Sequence, residues 1–144
     1  HKIPMTLITD SMSSFVLKNK KIKAAFVGAD RIAANGDFAN KIGTYHLAIA
    51  CHYHHVPFYV VAPQTTIDLK CQSGEDIEIE ERSSFEVCGV RGSFGEVHWA
   101  PQNVQVFNPA FDVTPAKLTT GWILDSGILN QQMIQNGKLT EVQK

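Results

Sequence analysis

Short apolar runs alternate along the chain with segments in which apolar residues recur at helical spacing. The apolar runs predict strands at residues 3–9, 24–27, 58–62 and 104–107. The helical spacing predicts helices at residues 12–17, 42–49 and 115–120. The strand runs barely alternate between apolar and polar residues, which is typical of parallel strands buried on both faces. This pattern predicts an α/β fold that is Rossmann-like and doubly wound, with a mainly parallel sheet and helices on both faces.

The alternation breaks between residues 62 and 104. Residues 64–82 are mostly polar, and several glycines follow in residues 83–101. Such a stretch inside a compact domain favours a functional loop or lid. Residues 130–144 are also polar, and we expect this tail to dock loosely or to fray.

The start of the chain indicates that sequence is missing upstream. Residues 1–4 lead almost at once into the apolar run that predicts the first strand. We therefore expect residues 1–144 to be one domain of a longer protein. A chain of 144 residues is long enough to fold around one core without disulfides.

Composition narrows the class of partner. The 13 Lys and Arg nearly balance the 14 Asp and Glu, so no basic surface for nucleic acid is indicated. No apolar run approaches the roughly 20 residues that span a bilayer. The three cysteines are odd in number and lack a C-x-x-C spacing, which favours a reducing, intracellular setting. A small molecule or another protein is the expected partner, with neither nucleic acid nor membrane involved.

Polar residues gather where the predicted strands end. Ligands of open α/β sheets bind beyond the carboxyl ends of the strands, and the residues at those ends are Asp10, Asp30, Pro63 and Asn108. The turn signal Asn35-Gly36-Asp37 follows Asp30. Asn40 and Lys41 are then predicted to open a helix, whose N-terminal N–H groups favour an anion.

Each candidate also has a structural interpretation. Asp30 could be a helix cap or turn former, and Lys41 a solvated surface lysine. The cluster His52, His54 and His55 could bind a metal, but the preferred interpretation is that it complements the negative end of its helix. The remaining candidates are given structural roles: Cys51 and Cys88 as core thiols, residues 78–82 as a solvated charge run, and Asp112 or Thr114 as caps of the next helix.

No sequence signature calls for a cofactor. Neither a G-x-G-x-x-G nor a P-loop pattern is present, so the alternating fold does not by itself indicate a dinucleotide or a nucleoside triphosphate. We predict no cofactor and no metal.

Five segments together resemble the C-terminal domain of the methylthioribose-1-phosphate isomerase family. They are residues 28–37 (GADRIAANGD), 40–44 (NKIGT), 57–63 (PFYVVAP), 79–82 (IEER) and 108–115 (NPAFDVTP). The resemblance covers residues 3–129. Single motifs are shared with a wider superfamily that includes ribose-1,5-bisphosphate isomerase and the regulatory subunits of translation initiation factor 2B. The translation-factor subunits resemble this chain less, because Asp30 and Asp37 are both present here.

The resemblance implies an aldose-ketose isomerase of methionine salvage. It would convert 5-methylthio-D-ribose 1-phosphate to 5-methylthio-D-ribulose 1-phosphate, with Asp30 as catalytic acid/base and with Asn40 and Lys41 contacting the substrate. Asp30 could act as an acid if burial keeps it protonated near neutral pH. The family's partner cysteine, its phosphate-binding arginines and a substrate-binding glutamine would lie upstream, so the isolated chain should be inactive. A homodimer in the cytoplasm, and also in the nucleus, is expected by resemblance. The alternatives are a ribose-1,5-bisphosphate-type isomerase and a non-catalytic translation-factor regulatory subunit.

Overall fold

The computed structural model describes residues 3–142, while residues 1–2 and 143–144 lie outside the described part. The helices are α1 Ser13–Asn19, α2 Thr44–Tyr53, α3 Phe85–Cys88, α4 Gln131–Gln135 and α5 Lys138–Val142. The strands are β1 Ala25–Val27, β2 Arg31–Ala33, β3 Phe38–Lys41, β4 Phe58–Val61, β5 Ile67–Asp68, β6 Gly89–Gly92, β7 Gly95–His98, β8 Phe111–Thr114, β9 Gly121–Leu124 and β10 Gly127–Asn130. Within these residues no helix is long and apolar enough to cross a membrane.

One sheet is mainly parallel, as the apolar runs predict. Its strand order is β1-β4-β9-β10, with β1, β4 and β9 parallel and β10 antiparallel at the edge. Val60 of β4 lies between Val27 of β1 and Trp122 of β9, and both Val60 and Trp122 are fully buried. Burial on both faces explains why these strands read as continuous apolar runs.

A second sheet, which the sequence did not predict, follows β1 directly. Its order is β5-β2-β3-β8, and β2, β3 and β8 are antiparallel neighbours. The turn between β2 and β3 is made locally, because Gly36 has φ +86° and its N–H donates to the Ala33 carbonyl over 2.9 Å. A glycine in this conformation closes a short hairpin. The fold is α/β, but a single doubly wound sheet is not what forms.

Large aromatic side chains join the two sheets. Phe38 of β3 stacks on Phe58 of β4 with ring centroids 6.4 Å apart, and both are buried. Trp122 of β9 is fully buried and donates from Nε1 to the Gly36 carbonyl over 3.1 Å. This bond satisfies the indole N–H inside the core and fixes the β2–β3 turn on the first sheet.

Two predicted strands are absent from the described chain. Residues 3–9 form no strand, and Leu7 is 98% exposed. Residues 104–107 form none either, and the next strand is β8. An extended segment becomes a strand only when a neighbour accepts its N–H groups and donates to its carbonyls. The edge of β3 provides that neighbour for β8, whereas no described strand pairs with residues 3–9 or 104–107.

The predicted lid and the predicted loose tail are both packed. In residues 64–82, Ile67, Cys71 and Ile77 are buried, and the Cys71 carbonyl accepts from the Ala34 N–H over 2.8 Å. In the tail, Ile134 of α4 and Leu139 of α5 are buried in the main core. Polar composition misled the prediction for the tail, because a few apolar residues at the right spacing are enough to anchor a segment. A functional loop or lid in residues 64–101 stays a prediction.

The three cysteines are free and buried. Burial raises the pKa of the Cys51 thiol from its ordinary value of 9.0 to about 11. The folded chain therefore keeps this proton between pH 9 and pH 11, where the unfolded chain has released it. Ionisation then favours the unfolded state, so stability from this group falls as pH rises.

We expect the free energy of unfolding to fall by about 2 kcal/mol more between pH 9 and pH 11 in the wild type than in Cys51→Ala. Urea titrations of both proteins at pH 7, 9 and 11 measure the difference. Other titrating groups are common to the two proteins and cancel in the comparison. Equal pH slopes would contradict the assignment.

Candidate functional site

The carboxyl ends of the parallel strands meet at one edge of the first sheet. Residues 28–30 follow β1, and Pro63 lies two residues beyond β4, so the structure places Asp30 and Pro63 at the same edge. A second acid at this edge is Asp125, directly after β9, and its Oδ1 accepts from the Gln64 N–H over 2.9 Å. The sequence analysis missed Asp125. The apolar run of residues 121–124 followed by an acid is the signal that could have found it.

Asn108, by contrast, does not follow a strand of this sheet. Its carbonyl accepts from the Arg82 N–H over 2.8 Å, and its Nδ2 donates to the Ser83 carbonyl over 2.9 Å. The residue thus anchors the segment before α3. The expectation that Asn108 marks a strand end at the ligand edge is wrong, because residues 104–107 form no strand.

Asp30 and Asn40 lie close to each other at the open end of the β2–β3 hairpin. Arg31 pairs with Ala39 in the antiparallel register, and the preceding N–H, that of Asp30, also donates to the Ala39 carbonyl, over 2.8 Å. Asp30 therefore lies beside Ala39, the residue that precedes Asn40 in β3. Gly28 adjoins them, since a Cβ built on it would lie 3.8 Å from Asn40 Oδ1. The hairpin thus joins two candidate residues that are ten positions apart.

Asn40 and Lys41 end strand β3 rather than opening a helix. Helix α2 begins at Thr44, after Gly43 with φ +101°. Successive strand residues point to opposite faces, so Asn40 and Lys41 do not share one face of the sheet. This correction separates the two predicted substrate contacts.

The N-terminus of α2 already holds an anion. The carboxylate of Asp112 on β8 accepts from the Gly43 N–H over 2.7 Å and from the Tyr45 N–H over 3.0 Å. A carboxylate there satisfies N–H groups that lack partners inside the helix and complements its dipole. The prediction that these N–H groups bind a ligand anion is therefore corrected. Asp112 does cap a helix, but the helix precedes it in the chain. The buried hydroxyl of Thr114 makes no hydrogen bond to any described residue.

The candidate residues Asp30 and Lys41 line two different cavities. Asp30 lines a polar cavity of about 470 Å³ together with Arg31, Asp68 and Lys70. Within this cavity, Arg31 Nη1 lies 3.4 Å from Asp68 Oδ2. Lys41 lines a second cavity, of about 320 Å³, with Asp10, Ser13, Gly43 and His46 among its neighbours. Asp10 and Lys41 thus line one cavity, and Asp30 lines the other.

Asp30 is exposed in the described structure, as is Lys41, while Asn40 is partly buried. The predicted acid role of Asp30 requires that the residue be buried. Residues 3–142 do not bury it. Any such burial has to come from a bound substrate or from protein outside this part of the chain.

The charged residues Glu78, Glu80, Glu81 and Arg82 are all exposed, as predicted for a solvated charge run. Arg82 forms a bidentate pair with Glu86, with Nη2 2.7 Å from Oε1. The hydrogen bond from Arg82 lowers the pKa of Glu86, and the positive charge of Lys41 adds to this effect. Lys41 therefore lies within electrostatic range of this pair.

The histidines and cysteines are placed away from Asp30. His52 lies in the last turn of α2. No three His, Cys, Asp or Glu within residues 3–142 are arranged to hold a metal ion. None of the three cysteines lines the Asp30 or the Lys41 cavity.

The fold and the site define a class of protein. It is an α/β protein whose parallel strands end at a polar edge, with an adjoining hairpin that brings an acid close to an amide. The chain belongs to the Initiation factor 2 subunit family, whose sequence model matches residues 1–131.

Relatives within that family are enzymes and translation factors. Methylthioribose-1-phosphate isomerase of Cronobacter sakazakii is 57% identical over 136 residues, which are 94% of this chain and 40% of that protein. The structure of 5-methylthioribose 1-phosphate isomerase from Pyrococcus horikoshii matches with a TM-score of 0.88 and 48% identity, over 98% of this chain and 38% of that one. Subunit delta of translation initiation factor eIF-2B from A. fulgidus matches with a TM-score of 0.83 and 38% identity, over 94% and 38%. The chain spans about two fifths of the length of these relatives.

Proposed function

We propose that this chain is the C-terminal part of an isomerase that converts 5-methylthio-D-ribose 1-phosphate to 5-methylthio-D-ribulose 1-phosphate in methionine salvage. The observation that carries the proposal is the placement of Asp30 beyond the carboxyl end of β1, hydrogen-bonded to Ala39 next to Asn40 and lining a polar cavity of about 470 Å³. The relatives of 55–57% identity that bear the name of this enzyme support it.

Asp30 is the proposed acid/base. The phosphate occupies the anomeric oxygen of the substrate, so the ring cannot open as a free sugar does, and breaking the ring C–O bond requires a proton for the ring oxygen. Asp30 would donate that proton in its protonated form. Hydrogen then moves from C2 to C1, as a proton or as a hydride, which makes the enzyme an intramolecular oxidoreductase.

Asn40 and Lys41 are the proposed substrate contacts. The Asn40 carboxamide lies beside Gly28, which follows β1, and would contact the sugar. Lys41 carries a flexible, exposed ammonium group and would have to reach around the end of β3 to touch the same molecule. The remaining half of the site, including the partner cysteine and phosphate-binding arginines, would lie outside this chain. We also propose a homodimer that acts in the cytoplasm. A nuclear location stays a prediction.

The test is a turnover assay on the protein expressed from its complete gene. We expect the ketose phosphate to form from 5-methylthioribose 1-phosphate and at least tenfold less efficiently from ribose 1,5-bisphosphate, whose second phosphate needs cations in place of an apolar pocket. The 144-residue chain alone should give no turnover, because its cysteines are buried and the other half of the site is missing. Preference for the bisphosphate would identify the alternative isomerase.

A second candidate is a non-catalytic regulatory subunit of a translation factor. The observation in its favour is the TM-score of 0.83 with subunit delta of eIF-2B. Absence of turnover with either sugar phosphate in the complete protein would favour this candidate.

A further inference from the structure

The hydroxyl of Thr44 lies between the Lys41 carbonyl and the Asn40 carboxamide, and these two groups determine which way the hydroxyl donates its hydrogen. Thr44 is 6% exposed, and its Oγ1 lies 2.7 Å from the Lys41 carbonyl oxygen and 3.0 Å from the carboxamide of Asn40. A carbonyl oxygen can only accept, so the hydroxyl donates its one hydrogen to Lys41. Towards Asn40 the hydroxyl can then only accept.

This arrangement decides which end of the Asn40 carboxamide faces Thr44. Because Thr44 Oγ1 accepts, Asn40 must present its NH₂ group there, whatever orientation is drawn for the amide. Its Oδ1 is thereby turned towards Gly28, where the absence of a side chain leaves space. No residue of the described chain donates to Asn40 Oδ1, so this oxygen is free to accept from a ligand.

We propose that Thr44 is a positioning residue that holds Asn40 with its oxygen towards the Asp30 end of the hairpin. The site then offers a hydrogen-bond acceptor to its ligand. A sugar hydroxyl can donate to it, whereas a phosphate dianion, which carries only acceptor oxygens, cannot. The Asn40 oxygen therefore selects a hydroxyl and cannot bind a phosphate dianion. This inference rests on the proposed function, because it takes the ligand to be a sugar phosphate.

The kinetic test uses the protein from the complete gene. Thr44→Val removes the hydroxyl and keeps the shape, and we expect a rise in KM of about tenfold with a smaller change in kcat. Thr44→Ser should restore KM to within about threefold of the wild type. Thr140→Val is the matched control, because the Thr140 hydroxyl also donates to a backbone carbonyl, that of Gly137, but lies in α5. It should leave KM unchanged.

Substrate analogues separate orientation from simple structural damage. The 2-deoxy and 3-deoxy forms of 5-methylthioribose 1-phosphate are used as competitive inhibitors. In the wild type, removing the hydroxyl that Asn40 accepts from should weaken binding about tenfold. In Thr44→Val the same removal should cost no more than threefold, because Asn40 no longer holds one orientation. An unchanged penalty for both analogues in Thr44→Val would overturn the proposal.

A readout without turnover keeps this inference separate from the proposed function. Selective ¹⁵N labelling of asparagine, with Asn40→Ala for assignment, reports the side-chain NH₂ of Asn40. We expect its hydrogen exchange to quicken at least fivefold in Thr44→Val and to recover in Thr44→Ser. Equal exchange in all three proteins would overturn the proposed orientation, even if the isomerase assay succeeds. If the wild type shows no turnover but the exchange rates follow the expected pattern, the isomerase proposal is wrong and the orientation of Asn40 still holds.

Discussion

Asp30→Asn is expected to lower turnover of 5-methylthioribose 1-phosphate about 1,000-fold in the protein from the complete gene. The amide keeps the shape of the carboxylate, and the backbone bond from residue 30 to the Ala39 carbonyl is unaffected. It cannot deliver or remove a proton, and a positioned acid or base contributes roughly 10²- to 10⁴-fold to a rate. Steady-state kinetics at saturating substrate measures the effect.

Binding should survive this substitution, which separates chemistry from folding. Calorimetric titration should give a dissociation constant within about fivefold of the wild-type value, since a neutral amide still forms hydrogen bonds. Glu75→Gln, a carboxylate-to-amide change at an exposed residue, is the matched control and should leave kcat unaltered. Near-wild-type turnover by Asp30→Asn would contradict the acid/base role of Asp30.

Asp37 carries the largest expected effect on stability. Its Oδ2 accepts from Asn35 Nδ2 over 2.8 Å and from the Gly74 N–H over 3.0 Å, and its Oδ1 accepts from the Ala116 N–H over 2.7 Å. These bonds tie together the β2–β3 turn, the segment after β5 and the segment after β8. One carboxylate thus joins Asp37 to Gly74, which is 37 positions away, and to Ala116, which is 79 positions away.

We expect Asp37→Ala to lower the free energy of unfolding by about 3 kcal/mol, because hydrogen bonds to a charged group contribute roughly 1.5–3 kcal/mol each and the alanine leaves N–H groups without partners. The melting temperature should fall by about 10 °C. Asp37→Asn keeps one acceptor and should lose about half as much. Glu78→Ala, at an exposed glutamate, is the control and should stay within about 0.5 kcal/mol. A loss below 1 kcal/mol for Asp37→Ala would contradict the assigned role.

This role of Asp37 changes how its presence is interpreted. The sequence analysis used Asp30 and Asp37 together to favour an enzyme over a regulatory subunit. In the structure Asp37 holds three segments in place, which any member of the fold could require. The distinction between the two functions therefore depends on Asp30.

Local sequence determined the elements whose reasons are local. The positive φ of Gly36 requires a residue without a side chain, so Asn35-Gly36 specified the turn that was predicted. Apolar runs at residues 24–27 and 58–62 identified β1 and β4, because a strand buried on both faces needs continuous apolar side chains. Asp30 was placed correctly beyond the carboxyl end of β1, since its position follows from where that strand ends.

Only the tertiary structure decided the relations between distant residues. Asp112 caps α2 from 69 and 67 residues away, and no local pattern shows which helix a carboxylate will reach. The same holds for the tail, where buried Leu139 fixes a segment that its polar composition predicted to be loose. Strand pairing and side-chain contacts of this kind depend on which surfaces the whole chain brings together. The sequence by itself thus determined the turn, the parallel strands and the position of Asp30. The tertiary structure set Asp30 beside Ala39, gave the α2 N-terminus to Asp112 and turned the Asn40 oxygen towards Gly28.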